Sequence, residues 1–172
     1  LEIVGAVEIR RAVQVGGAAG QMVGPEEYKR LLCFDDLATG GSIMVFGPGR
    51  DLLQAVDVFM EFFIHESCGY CTPCRVGNVL LWQGLQRIRS GRGEPSDLQY
   101  LKDLGETIKL ASRCGFGQTS ANPVLTSLAK FRPVYEARVK PVCDGLQPNF
   151  DLALAASEAS RIAGRKSVHL TD

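Results

Sequence analysis

Glu66-Ser67-Cys68-Gly69-Tyr70-Cys71-Thr72-Pro73-Cys74-Arg75 carries three cysteines at two-residue spacing, and a fourth, Cys114, follows after a gap of thirty-nine residues in Ser112-Arg113-Cys114-Gly115-Phe116-Gly117. C-x2-C-x2-C brings three thiolates within reach of one small object. The object that fits best is a cubane iron–sulfur cluster, which takes four thiolate ligands. Gly69 permits close approach of the backbone, and Pro73 fixes a turn while removing one backbone donor. Backbone N–H groups in such a loop can point at cluster sulfur and raise its reduction potential.

Other occupants have their own spacing. A bacterial ferredoxin run continues as C-x3-C-P. Here Arg75-Val76-Gly77-Asn78-Val79 holds no cysteine, so Cys114 has to complete the set. Structural zinc takes two separated C-x2-C pairs, or cysteine with histidine. Three cysteines in tandem suit it poorly, and a set that used His65 would strand Cys114. Zinc and redox-active thiols stay open as alternatives. Arg75 either offsets the anionic thiolates or is a solvated first-turn residue. His65 and Glu66 read as polar residues at a helix end.

Outward from the cysteines the texture is helical. Leu52, Val56, Phe59 and Phe63 recur at four, three and four residues, one helical face, and this helix runs into Cys68. A second is expected over Arg75 to Arg89 with Val76, Val79, Leu80 and Ile88 inward, closed by Ser90-Gly91-Arg92-Gly93-Glu94-Pro95. Ser96 is the expected N-cap of a third, striped by Leu98, Leu101, Leu104, Ile108 and Ala111. Asn122-Pro123 opens a fourth, and Pro133 interrupts the chain beyond it. Helix ends on both sides of the cysteines place all four at one end of a four-helix bundle. Trp82, Phe59, Phe62 and Phe63 read as core that also shields the site. Phe150 to Gly164 reads as one more helix, stopped by Gly164.

The first forty-nine residues differ. Val13-Gln14-Val15 and Ser42-Ile43-Met44-Val45-Phe46 read as short strands between glycine-rich turns. Gly24-Pro25-Glu26-Glu27-Tyr28 reads as a turn into a short helical piece. Gly16-Gly17-Ala18-Ala19-Gly20 lacks the order and the lysine of a phosphate loop and reads as a tight turn. The expected organisation is therefore residues 1–49, 50–142 and 143–172, a mainly α chain.

Composition narrows the function. The chain has 172 residues, 45% hydrophobic and 22% charged, with 19 basic and 19 acidic residues and no net charge. A nucleic-acid or anionic-membrane binder would carry a basic excess. No apolar stretch approaches the ~20 residues that span a bilayer, and no signal peptide is read. Six cysteines are too few for a disulfide scaffold, and four in a metal pattern favour a reducing cytoplasm. Cys33 and Cys143 read as plain thiols. No Ser/His/Asp or Cys/His constellation stands out. The chain opens on Leu1-Glu2-Ile3-Val4-Gly5 without an initiator methionine, and a fragment of a longer protein is expected.

These residues resemble a known family. His65 through Gly77 is similar to the cluster motif of the flavin-carrying, NADH-binding subunit of respiratory complex I, with Cys114 as its fourth ligand. Cys114 through Leu125, Phe131-Arg132-Pro133-Val134-Tyr135-Glu136 and the tail from Phe150 to Arg165 resemble the homologous diaphorase subunit of cytoplasmic NAD-reducing nickel–iron hydrogenases. Related subunits occur in soluble NAD-dependent formate dehydrogenases. The resemblance covers the C-terminal part of such a subunit.

It implies a 4Fe-4S cluster on Cys68, Cys71, Cys74 and Cys114, with Ser67, Gly69, Thr72, Arg75 and Gly115 around it. Residues 1–49 would be the truncated end of a β-grasp, ubiquitin-like domain, 50–142 the cluster bundle and 143–172 a tail with a short helix. FMN and NAD would bind in an earlier domain, so no residue here is a principal ligand of either, and none is catalytic. The implied path runs from NAD(H) through FMN and the cluster to iron–sulfur centres of a partner diaphorase subunit, and on to hydrogenase subunits, in reversible H2 oxidation coupled to NAD+ reduction. No nucleic acid and no membrane insertion are implied.

Overall fold

The computed structural model describes residues 12–140 and 161–164. Three short strands come first, β1 (Ala12–Val15), β2 (Gln21–Val23) and β3 (Ile43–Phe46). They form one antiparallel sheet in the order β2-β1-β3, with Val13 opposite Val23 on one side and Val45 on the other. The run from Gly16 to Gly20 is the turn that joins β1 to β2, as its composition predicts. A Cβ at Gly20 would lie 1.8 Å from the Val15 carbonyl oxygen, so the turn closes only on glycine. Alternation along the central strand divides its contacts. Val13 and Val15 join Val23, Tyr28 and Leu37 in a small cluster, while Ala12 joins Met22, Phe46 and the helices in the main core.

The helices are α1 (Leu52–Glu66), α2 (Thr72–Arg75), α3 (Gly77–Arg89), α4 (Pro95–Ala111), α5 (Gly115–Ser120), α6 (Asn122–Lys130) and α7 (Arg132–Glu136). The chain is thus mainly α with a small sheet. α1 packs on α3, α3 on α4, α4 on α6 and α6 on α1, closing a ring. Met60, Leu81, Leu85, Leu101, Ile108 and Val124 fill it, all fully buried. Each large apolar side chain removed from water contributes about 1.5–3 kcal/mol. α6 also carries the sheet: the Met22 N–H donates to Thr126 Oγ1 at 3.0 Å and Asn122 Nδ2 to the Ala19 carbonyl at 2.7 Å.

α1 buries the expected Leu52, Val56, Phe59 and Phe63. α3 corrects the expected face. Val76 and Leu80 are exposed and Val79 only half-buried; the inward residues are Gly77, Asn78, Leu81, Gly84, Leu85 and Ile88. The helix turns its glycines inward so that α4 can come close: a Cβ on Gly77 would sit 2.6 Å from Ile108 Cγ1, and one on Gly84 2.9 Å from Leu101 Cδ2. Its start is also broken, with the single turn of α2 ending before Val76. α4 starts earlier than expected, on Pro95, and its cap is Glu94, whose N–H donates to the Asp97 carboxylate at 2.8 Å; Ser96 lies inside the first turn. Ala111 is exposed, and so is Phe62, which the sequence reading placed in the core. Pro133 falls in the first turn of α7.

The described residues 12–140 fall in one compact unit and 161–164 in a second. Of the helix expected over residues 150–164, the described part, 161–164, is a helical turn ending at Gly164, φ 63°. Residues 150–160 and Cys143 lie outside the described residues. No helix among the described residues is long and apolar enough to cross a membrane.

Candidate metal centre

The end of α1 delivers the first cysteine. Ser67 leaves helical geometry at ψ 127° and caps the helix. Gly69 follows at φ 74°, a left-handed conformation that turns the chain back. The Gly69 N–H donates to Ser67 Oγ at 3.2 Å, and Arg75 Nη1 donates to the Gly69 carbonyl at 3.3 Å. Arg75, exposed, therefore braces the loop from its far side. Cys71 sits at the N-cap of α2, Thr72 is its exposed first residue, and Cys74 is buried within it.

Cys114 comes from the opposite direction. α4 ends at Ala111, Ser112 is buried, and Cys114 takes the N-cap of α5. Gly117 makes this junction possible: a Cβ there would stand 2.6 Å from Ser112 Oγ and 3.2 Å from Cys74 Cβ. Gly115 is exposed with open space around it. Arg113 ties the two loops from outside, its guanidinium 5.1 Å from the Tyr70 ring centroid and its Nη1 donating to Tyr70 Oη at 3.2 Å.

Cys68, Cys71, Cys74 and Cys114 line one cavity of about 280 Å³, together with Glu66, Ser67, Tyr70 and Phe116. The structure thus brings the four sequence-predicted cysteines to one place. Phe116 closes the inner wall and stacks edge-on against Phe63 at 5.2 Å, with Phe63 edge-on to Phe62 at 5.4 Å. His65 is exposed on the last turn of α1, and Cys33 is an exposed free thiol.

The donor set suits anionic sulfur. The backbone N–H of Arg113 does most to hold the Cys71 thiol below its ordinary pKa; burial opposes it, and the N–H groups of Cys74 and Cys71 and the Ser112 hydroxyl add to the lowering. Ser112 Oγ is buried and, the Cys71 sulfur aside, finds no hydrogen-bond partner among the described residues, so its hydroxyl is directed at sulfur. Ser67 Oγ lies 3.3 Å from Cys74 Sγ. With Gly69 donating to its lone pair, its own proton is available to that sulfur. These observations fit a group that binds through thiolates and accepts hydrogen bonds through sulfur.

Sequence reading missed four residues at this site: Phe116, Ser112, Asn78 and Ser120. Asn78 Nδ2 donates to Cys74 Sγ at 3.5 Å, and Ser120 Oγ donates to Asn78 Oδ1 at 2.8 Å. The one available signal was position: Asn78 lies one helical turn beyond Cys74.

Residues 54–138 match the family model described as the NADH-ubiquinone oxidoreductase-F iron–sulfur binding region, of the 4Fe-4S kind. The alpha subunit of the NAD-reducing hydrogenase HoxS of Cupriavidus necator is 39% identical over 156 residues, 90% of this chain and 26% of that protein. The NADP-reducing hydrogenase subunit HndC of Solidesulfovibrio fructosivorans is 37% identical over 135 residues, 75% of this chain and 28% of that protein. The F subunit of the NADH-quinone oxidoreductase of Streptomyces coelicolor is 40% identical over 123 residues, 72% of this chain and 24% of that protein. Among solved structures, an NAD+-reducing nickel–iron hydrogenase in the H2-reduced state superposes with a TM-score of 0.75 at 39% identity, covering 95% of this chain and 29% of that one. The chain thus spans about a quarter of the length of the curated relatives it matches.

Proposed function

We propose that this chain is the electron-transfer segment of an NAD(H)-linked oxidoreductase subunit, a reading supported by the match of residues 54–138 to the NADH-ubiquinone oxidoreductase-F iron–sulfur binding region. Cys68, Cys71, Cys74 and Cys114 hold its 4Fe-4S cluster. When bound, the cluster supplies one-electron transfer. The chain's residues provide the rest: four thiolates bind, Phe116 on Phe63 keeps water from the inner wall, and Ser67, Ser112 and the Arg113 N–H direct donors at sulfur. The ring of α1, α3, α4 and α6 is a four-helix bundle, and the sheet before it is the end of a β-grasp domain. The proposed domains are residues 1–49, 50–142 and 143–172.

In the whole subunit the cluster lies between an FMN site, where NAD(H) reacts, and iron–sulfur centres of a partner diaphorase subunit. The whole enzyme is a cytoplasmic NAD-reducing hydrogenase. The longer alignment with the HoxS alpha subunit, 90% of this chain against 72% for the Streptomyces coelicolor F subunit, supports that choice over complex I.

One observation carries the reading: four cysteines from two separate loops line a single cavity of about 280 Å³. Sequence spacing also favours a cluster over the structural zinc alternative: zinc takes two separated cysteine pairs, or cysteine with histidine, whereas here three cysteines stand in tandem and the fourth apart. The test is anaerobic assembly with iron and sulfide. The full chain should take up about four irons, turn brown and bleach with dithionite, and Cys114→Ser should lose most of that iron. Stoichiometric zinc without iron uptake would sink the proposal.

A further inference from the structure

We propose that Asn78, oriented by Ser120, is a positioning residue that donates a buried hydrogen bond to the Cys74 thiolate and raises the reduction potential of the cluster. The inference rests on the cluster reading above and names a residue that tunes it.

Asn78 and Ser120 are both 0% exposed. A buried amide, here in the first turn of α3, is costly unless each end finds a partner. Asn78 finds one at each end. Its Nδ2 lies 3.5 Å from Cys74 Sγ, and its Oδ1 lies 2.8 Å from Ser120 Oγ. The direction of the amide follows from chemistry. A cysteine sulfur bound to iron has no proton and can only accept, so the NH2 end must face Cys74 and the carbonyl end must face Ser120.

Ser120 has one proton and two acceptors in reach, Asn78 Oδ1 and the Gly117 carbonyl at 2.9 Å. Donation to Gly117 would leave Asn78 Oδ1 facing another lone pair in the core. Donation to Asn78 satisfies the amide and locks it. The result is a one-way chain from the Ser120 hydroxyl through the Asn78 amide to the Cys74 sulfur.

Cys74 is the cysteine where such a bond weighs most. It is 5% exposed, whereas Cys68 and Cys114 are open to solvent. Water can stabilise charge on the exposed sulfurs, but Cys74 depends on protein donors. Reduction adds an electron whose charge spreads onto the thiolates. A donor at Cys74 stabilises the reduced state more than the oxidised state, so removing it lowers the potential. A merely structural Asn78 would change stability and leave the potential alone.

The experiment is a redox titration, followed by electron paramagnetic resonance, of the full chain with its cluster assembled anaerobically. Asn78→Leu keeps the branched side-chain skeleton and deletes the donor. At a fixed potential its ratio of reduced to oxidised cluster should fall about tenfold, about 59 mV for a one-electron couple. Ser120→Ala should shift the potential the same way by less. The double variant should match Asn78→Leu, because Ser120 acts through Asn78. Wild-type potentials in variants that hold their clusters overturn the inference alone. If Asn78→Leu fails to assemble, Ser120→Ala decides: a lowered potential supports the chain of donors, and an unchanged one overturns it. A wild-type chain that takes up no iron overturns the cluster reading and this inference together.

Discussion

Asp57 lies on the buried side of α1, 8% exposed, between Val56 and Val58. Its carboxylate accepts from Trp82 Nε1 at 2.8 Å and from Gln86 and Arg89, all on α3. Two oxygens with about four lone-pair sites accommodate three donors, so one acid pins two helices. Its removal strands a partly buried arginine and two further donors. Asp57→Ala should therefore cost about 2–3 kcal/mol. The cost should appear as a lower urea midpoint with unchanged slope, followed by the emission of Trp82, the single tryptophan. A wild-type midpoint would show that solvent already screens the cluster. Sequence reading places Trp82 in the core, and an indole N–H there needs a partner. The partner was not legible, because it lies a whole helix away and is flanked by apolar residues like any surface acid of an amphipathic helix.

Between elements, the first turn of α1 is held by charge as well as by apolar contacts. Asp51 caps the helix, accepting from the Leu53 N–H at 3.0 Å, and Arg138 grips it through both terminal guanidinium nitrogens, Nη1 and Nη2, at 3.2 and 2.9 Å. Burial pushes the Asp51 carboxyl up, but the Arg138 hydrogen bond and charge, with the N–H groups of Leu53 and Gln54, outweigh it and hold the pKa below its ordinary value. A carboxyl with a depressed folded pKa stabilises the fold above its unfolded value, ~3.9. That contribution is lost as pH falls through the folded value. Wild type should exceed Arg138→Gln in stability at neutral pH by up to about 1 kcal/mol. The gap should narrow below about pH 4 and vanish once Asp51 is protonated; a gap constant with pH would assign the effect to packing. The face of α1 was legible because its contacts are made by large apolar residues whose period can be counted. The face of α3 was not. Its closest contacts to α4 are at Gly77 and Gly84, which have no side chain to count, and its buried amide at Asn78 reads as a solvent-facing residue. Hydrophobic periodicity is blind wherever two backbones approach through glycine.

At the scale of the molecule, the four cysteines were legible together because their spacing marks them as one set, and they line one cavity. What the spacing could not tell was how far the fold depends on that centre. Of the four, only Cys74 is buried, and the main core runs from Ala12 and Met22 through Leu53, Leu81, Leu101 and Val124 to Tyr135 without any cysteine. A core of that extent stabilises the helices by itself. It differs from a zinc-finger module, where metal binding supplies most of the folding energy. On the proposed ligand set, the binding free energy of the cluster would fall instead on the two loops, 67–71 and 112–114. Stripping the cluster with an oxidant and chelator should lower the melting temperature, because a group that binds only the folded state stabilises it. The helical circular-dichroism signal and a cooperative transition should survive. Limited proteolysis should then cut first near Cys68 and Tyr70, which the assembled centre protects. Loss of helical signal on stripping would instead make the centre the staple of the fold and favour the structural-metal alternative.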